Sequence, residues 1–191
     1  MSVTEQASPA RVIDGKAVPP VGTWAIDPVH TNVEFVARHL VSKVRGRFEQ
    51  FAGTFTVAEN PLDSRVEVTV DAASVKTGAE QRDGHLLSAD FFDADNFKEL
   101  RFASTGVAAA GDEWLLDGEL TIKDVTRPVQ LRFAYLGSAV DPYGNEKVAF
   151  SAWAEVDREE FGLTWNAALE TGGVLVGRKV RLEFEIQAAR A

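Results

Sequence analysis

An all-β chain, folded as an antiparallel barrel of about eight strands with a short helical insert, is what this sequence predicts, and three observations carry that reading. After residue 22 the chain is a succession of segments in which apolar and polar residues alternate, the signature of half-buried strands. Turn-forming clusters such as Asp27-Pro28, Glu59-Asn60-Pro61 and Asp141-Pro142-Tyr143-Gly144-Asn145 separate these segments at short intervals. One stretch, Thr77 to Phe102, breaks the alternation. No βαβ rhythm appears anywhere, so a sheet whose edges close on each other accommodates the pattern best, because closure removes unpaired edges.

In chain order, residues 1–21 mix small and polar residues, and the expectation is a flexible tail with a short strand around Val12-Ile13. The domain proper spans 22–191. Thr23 to Asp27 reads as a first strand and Thr31 to His39 as a second, with Val33, Phe35 and Ala37 on one face. Lys43 to Val57 is the longest candidate. Its inward parity changes between Gly46/Phe48 and Phe51/Gly53/Phe55/Val57, which predicts a β-bulge within one strand. Arg65 to Asp71 alternates cleanly. In the insert, Ala79 to Leu87 has helical composition despite Gly84, and Phe91-Phe92 leads into Asp93-Ala94-Asp95-Asn96. Two placements fit the Phe pair: a lid over an open barrel end, or packing against an outer face. Strands resume at Glu99 to Val107, Asp112 to Lys123, the segment carrying Val129, Leu131, Phe133 and Tyr135, the segment from Val148 to Val156, and finally Val174 to Ala188. Arg158 to Gly173 is irregular and carries Phe161, Leu163 and Trp165.

Composition narrows the function. The 191 residues carry a net charge of -9, which argues against a nucleic-acid partner and against adhesion to an anionic membrane surface. Arg38 to Arg47 (RHLVSKVRGR) is the one candidate basic patch, and solvated side chains on a strand face account for it. There is no cysteine, so disulfides, thiol catalysis and thiolate metal sites are excluded. The first twenty residues lack an apolar h-region and no run reaches the roughly 18 apolar residues of a membrane span. A soluble, cytoplasmic protein without stable membrane insertion is therefore expected.

Inward-parity residues include large groups (Phe35, Phe48, Phe55, Trp114, Phe133, Phe150) beside small ones (Ala37, Gly46, Gly53, Ser104, Gly106, Gly118, Ala152). Interdigitated packing and a dry cavity both fit this mixture. Inward glycines, which often mark close approach to the backbone, favour the cavity, and such a lumen would take an aliphatic or isoprenoid chain. Catalytic motifs are not found. Phe102-Ala103-Ser104-Thr105-Gly106 lacks the first glycine of a nucleophile elbow, and Phe97 and Ser104 stand where a calcium loop starting at Asp93 needs ligands. His30, His39 and His85 lack metal-ligand spacing, so neither a metal nor a cofactor is expected. His39 shares inward parity and reads as a structural hydrogen bonder or as the contact for a ligand's polar end.

Several segments together resemble the YceI-like family. They are Trp24-Ala25-Ile26-Asp27-Pro28-Val29-His30-Thr31 with Val33-Glu34-Phe35 and His39; Gly46-Arg47-Phe48 with Phe51-Ala52-Gly53; Ser74 to Thr77, Arg82 to Ser88 and Asp90 to Asp93; Gly118 to Lys123; and Asp157 to Leu163. The resemblance covers residues 22–187 and departs at Lys98, where the family usually has proline. It implies an extended lipocalin-like barrel with a lipid-filled interior, often a homodimer, in a family described as binding polyisoprenoids, isoprenoid quinones or other long amphiphiles. It supplies no catalytic residues.

The expectation is thus non-enzymatic binding, carriage or storage of an isoprenoid or similar long-chain amphiphile. Phe35, Phe48, Phe55, Trp114, Leu120, Phe133 and Phe150 are the candidate lining, with Phe91, Phe92 and Trp165 near an entrance. His30, His39 and Arg47 are candidates for a polar head group, or else a hydrogen-bond cluster tying the barrel together. Two rivals stand beside this reading: a lipid-modifying enzyme using His39 or the Asp83/His85 pair, and an interaction module presenting the outward Trp153.

Overall fold

A computed structural model describes Ser8, Pro9 and residues 11–191. The elements are β1 (Arg11–Ile13), β2 (Lys16–Val18), β3 (Gly22–Ile26), β4 (Asn32–His39), β5 (Ser42–Phe48), β6 (Phe51–Val57), β7 (Arg65–Asp71), β8 (Val75–Lys76), α1 (Glu80–Leu87), β9 (Glu99–Ala110), β10 (Glu113–Ile122), β11 (Val125–Val140), β12 (Glu146–Asp157) and β13 (Val176–Arg190). Short 3-10 turns lie at Pro61–Asp63, Ala72–Ser74 and Arg158–Phe161.

The wall is a closed antiparallel barrel of eight strands, in the order β13, β12, β11, β10, β9, β7, β6, β3 and back to β13. Near the β13 C-terminus its second edge pairs with β3, through Ala188 to Arg190, and nearer its start it pairs with β4. β4 carries β5, and β5 carries the short β8. A bent two-part strand, β3 then β4, therefore extends the barrel at one end.

The bend explains the first motif. Trp24 is fully buried, with its indole N–H donating to Pro20 O at 3.3 Å and the Arg190 guanidinium 4.5 Å from its ring centroid. Asp27 holds the corner: it accepts from the Val29 amide at 3.0 Å, His30 Nδ1 at 2.9 Å and Lys147 Nζ at 2.8 Å. Thr31 Oγ1 exchanges hydrogen bonds with the Gln187 backbone, both at 3.1 Å.

Lys43 to Val57 is not one bulged strand. It breaks at Glu49-Gln50 into β5 and β6, which pair with different neighbours. The Glu49 amide donates to Ser74 O and the Asp71 amide to Gln50 O, so the parity change marks a corner rather than a bulge. Register shifts occur elsewhere, at Asp117/Gly118 between β10 and β9 and at Tyr135/Gly137 between β11 and β12. The first leaves Thr105 unpaired and reverses parity beyond it: Val107, opposite Leu116, turns inward, and Gly106 falls out of the inward set. Ser104 Oγ accepts the Val66 amide there at 2.8 Å.

The inward glycines are packing sites. A Cβ on Gly46 would overlap the ring of Phe35, its partner across the β4–β5 ladder. A Cβ on Gly118 would overlap the ring of Phe102 and come within 2.8 Å of Ala103 O. Each ring packs its outer edge against the glycine of the neighbouring strand, a cross-strand contact of the kind that fills glycine sites in sheets. The glycines do not line the lumen; they let aromatics recede from it.

Of the stretch 1–21, residues 11–18 form a hairpin, β1–β2, and the expectation for residues 1–7 and 10 lies outside the described residues. Asp14 and Gly15 at its tip both have positive φ, 51° and 78°, as a two-residue primed turn requires. The hairpin crosses the barrel end. Arg11 donates to Glu59 O beyond β6, Lys16 Nζ donates to Glu113 O at the start of β10, and Val18 is buried at 2% exposure.

Two predictions follow from this architecture. Gly118→Ala should cost about 1–3 kcal/mol by overpacking, lowering Tm by several degrees, whereas Gly106→Ala, with open space around the new methyl, should be near neutral; thermal unfolding compares them. The Asp27 carboxyl is held well below the usual carboxylate range, chiefly by the Lys147 hydrogen bond and then by His30. A depressed acid stabilises above its unfolded-state value of about 4 and loses that contribution as pH falls toward its folded value. Urea unfolding should therefore show the parent chain losing about 1–2 kcal/mol more than Asp27→Asn between about pH 4 and about pH 2, after allowance for solvent screening.

Candidate functional site: an apolar barrel cavity

Alternation places one side chain in two inside the barrel, and the recessed rings leave space between them. The result is a cavity of about 720 Å³, within the roughly 300–1,000 Å³ range of small-molecule sites. It runs between two apolar clusters. At the hairpin end lie Trp24, Phe55, Val57, Val148 and Ala188, with Tyr135 and Phe150 packed against them. At the other end lie Phe48, Phe91, Ile122, Val156, Phe161 and Leu163, with Phe35, Phe92, Leu120 and Trp165.

Of the residues singled out from sequence, Phe35, Phe48, Phe55, Trp114, Leu120, Phe133 and Phe150 line this space, as do Phe91, Phe92, Trp165 and His39. His30 and Arg47 do not. His30 sits in the β3–β4 turn with its imidazole on Asp27 and its side chain 58% exposed. Arg47 has outward parity on β5, between inward Gly46 and Phe48, and pairs with Glu49 at 2.8 Å. The predicted polar trio is therefore split between cavity and surface.

The insert caps one end. Thr77, after β8, is gripped from α1: its amide and hydroxyl donate to Asp83 Oδ1 at 2.8 and 2.6 Å, while Arg82 donates to its Oγ1 and carbonyl at 2.7 and 2.8 Å. This seats the helix over the barrel rim. Asp83 and His85 are not a dyad, because Asp83 is occupied by Thr77 and His85 Nε2 meets Asp90 Oδ2 at 2.9 Å. The His85 ring stands edge-on to Trp165 at 4.5 Å and to Phe91 at 5.1 Å, forming an aromatic group at the mouth. Phe92 packs edge-on to Phe48 at 5.6 Å, so the Phe pair points into the barrel as a lid and not onto an outer face. Lys98 supplies the carbonyl that accepts the Ala72 amide at 2.9 Å.

The loop from Phe161 to Leu175 closes the same end and depends on Arg158. This guanidinium is 4% exposed and donates only to backbone carbonyls: Gly177 O at 2.9 Å, Trp165 O at 2.9 Å, Val176 O at 3.3 Å, and Leu163 O. Burial pulls its pKa below the ordinary arginine value. Burial pushes the neighbouring Asp157 carboxyl up, but the Arg178 hydrogen bond and the Glu159 amide together hold it below its ordinary value. Sequence reasoning missed Arg158, since its role lies in distant carbonyls. It also missed Val18 and Pro19 in the lining, although Asp14-Gly15 between two short apolar runs is a strong hairpin signal. Gln81 and Arg82 at the mouth were missed as well.

The YceI-like domain family matches residues 24–188, well over half of the chain. The chain belongs to the YceI-like family. It is 38% identical over 136 residues to the protein YceI of Shigella flexneri, covering 70% of this chain and 71% of that protein. Against the Salmonella arizonae protein YceI it is 39% identical over 137 residues, 71% and 72% of the two chains. Among solved structures, a YceI protein of Campylobacter jejuni superposes with a TM-score of 0.69 at 25% identity, over 81% of this chain and 90% of that one. BcnA of Burkholderia cenocepacia shares the fold with a TM-score of 0.75 at 20% identity, over 85% and 98%. A polyisoprenoid binding domain from Saccharophagus degradans does so with a TM-score of 0.64 at 15% identity, over 90% and 100%. Family and cavity together support a binding role rather than a catalytic one. Among the described residues no helix is long and apolar enough to cross a membrane.

Replacing Arg158 tests the clamp. Arg158→Leu leaves buried carbonyls without donors and should cost about 3 kcal/mol or more, with Arg158→Lys intermediate. Hydrogen exchange should show protection lost first in residues 163–177.

Proposed function

We propose that this protein binds and carries an isoprenoid, or a similar long-chain amphiphile, without chemically altering it. The observation that carries the reading is the continuous apolar cavity between the hairpin end and the α1 end, lined by aromatic and branched aliphatic side chains. The chain of the ligand lies against Phe35, Phe48, Phe55, Trp114, Leu120, Phe133 and Phe150. Phe91, Phe92 and Trp165 close over it, and His39 stands nearest its polar end. A lumen of this kind discriminates by length and girth, because apolar contacts carry little directional information. The likeness in fold to a domain described as polyisoprenoid binding supports isoprenoids as the first class to try.

Organic extraction of freshly purified protein, followed by mass spectrometry, tests the proposal. A stoichiometric polyprenyl or isoprenoid quinone species is expected. Ala152→Trp, which fills the lumen beside Phe133, should reduce the recovered lipid about tenfold. A blank from protein expressed in a lipid-rich host, or full loading of a folded Ala152→Trp variant, would sink the reading.

A further inference from the structure

The tip of the β4–β5 hairpin presents apolar side chains to solvent beside the cavity mouth. Val41 is 103% exposed, Leu40 41% and, on the facing loop, Val174 39%. The tip is held in place: Leu40 adopts φ 54°, uncommon for a residue with a Cβ, and its amide donates to Leu175 O at 2.8 Å. Directly behind it, His39, Val44, Leu175 and Val176 line the cavity. The apolar residues of the tip are thus chain neighbours of residues that line the lumen, Leu40 of His39 and Val174 of Leu175.

Charge is arranged around the same point. Arg38 and Lys43 face each other across the hairpin, and both are exposed. Lys179 lies in the bulged segment of β13, between the pairs Val176–His39 and Val180–Ala37, with Asp157 its register partner on β12. Among the described residues these three form no ion pair, whereas Arg45 and Arg47, farther back, are answered by Glu34, Glu183 and Glu49. Glu170 is the acidic residue of the Phe161–Leu175 loop. At net charge -9 the chain as a whole is repelled by an anionic surface, and α1 and its exit add the exposed Glu80 and Asp90, so Arg38, Lys43 and Lys179 are the local source of attraction.

We propose that this tip docks the protein onto an anionic phospholipid bilayer. Leu40, Val41 and Val174 reach the boundary between head groups and acyl chains, Arg38, Lys43 and Lys179 sit among the phosphates, and the cavity mouth turns toward the bilayer. The proposal rests on lipid carriage as the function, since a water-insoluble cargo is exchanged most directly at a membrane. Shallow apolar insertion combined with electrostatic attraction is a recognised mode of reversible membrane binding.

Sedimentation of the full chain with phosphatidylcholine vesicles, with and without phosphatidylglycerol, tests it. Binding to the anionic vesicles is expected at low salt, weakened at about 1 M salt, where the Debye length is about 3 Å. Val41→Asp and Lys43→Glu should each reduce that binding about tenfold while leaving Tm and the extracted lipid unchanged. No binding to anionic vesicles, or full binding by Val41→Asp, overturns the proposal. So does a vesicle-free dimer that Val41→Asp converts to monomer in sedimentation velocity, which would make a second copy the occupant. Because vesicle binding is read without reference to cargo, loaded protein that ignores vesicles removes docking alone; a parent chain without extractable lipid removes carriage.

Discussion

Everything in this molecule depends on β13 being hydrogen-bonded along both edges. One edge runs beside β12 from Lys179 to Ala189, and the other is divided between β4 and β3. Without that closure the sheet has two free edges, and the inward side chains have no opposite wall to face. The division of the second edge has its own effect. Because β3 ends at Ile26 and β4 begins at Asn32, the wall must turn, and Asp27, Thr31 and Lys147 hold the turn with hydrogen bonds that a straight strand would not need.

A barrel of eight strands is at the size where side chains can fill the interior. Two of its aromatics recede into gaps left by glycines. Phe35 lies on Gly46 and Phe102 on Gly118, each ring occupying the volume that a neighbour's side chain would otherwise take. The clusters at the cavity's two ends are held differently: the hairpin end by Trp24 and a two-stranded crossing, the α1 end by polar grips on Thr77 and on the Arg158 carbonyl set.

Much of this was legible in the sequence, because it rests on local periodicity. Alternation located Arg65 to Asp71 to the residue and placed Phe133 and Phe150 facing inward, and helical composition located α1 to within one residue. What was illegible depended on long-range register. The parity change at Phe48/Phe51 reads identically for a bulge and for a corner, and only the partners of β5 and β6 distinguish them. Gly106 looked inward because Thr105 gives no sign in sequence of being unpaired. Arg47 was drawn into the site by its motif, although parity with Gly46 and Phe48 already assigned it to the outer face. His30 belonged to a motif whose purpose is the corner, and motif membership cannot by itself separate a ligand contact from a structural bond.

The unequal ends give the barrel a direction. With β1–β2 laid across one rim and Val18 buried beneath it, a long molecule carried in the lumen, as proposed above, would enter and leave at the α1 end. Its inner terminus goes in first and comes out last. A receiving protein or surface would therefore grip the outer terminus before any of the rest is released, making handover a sequential withdrawal in which the cargo bridges donor and acceptor throughout.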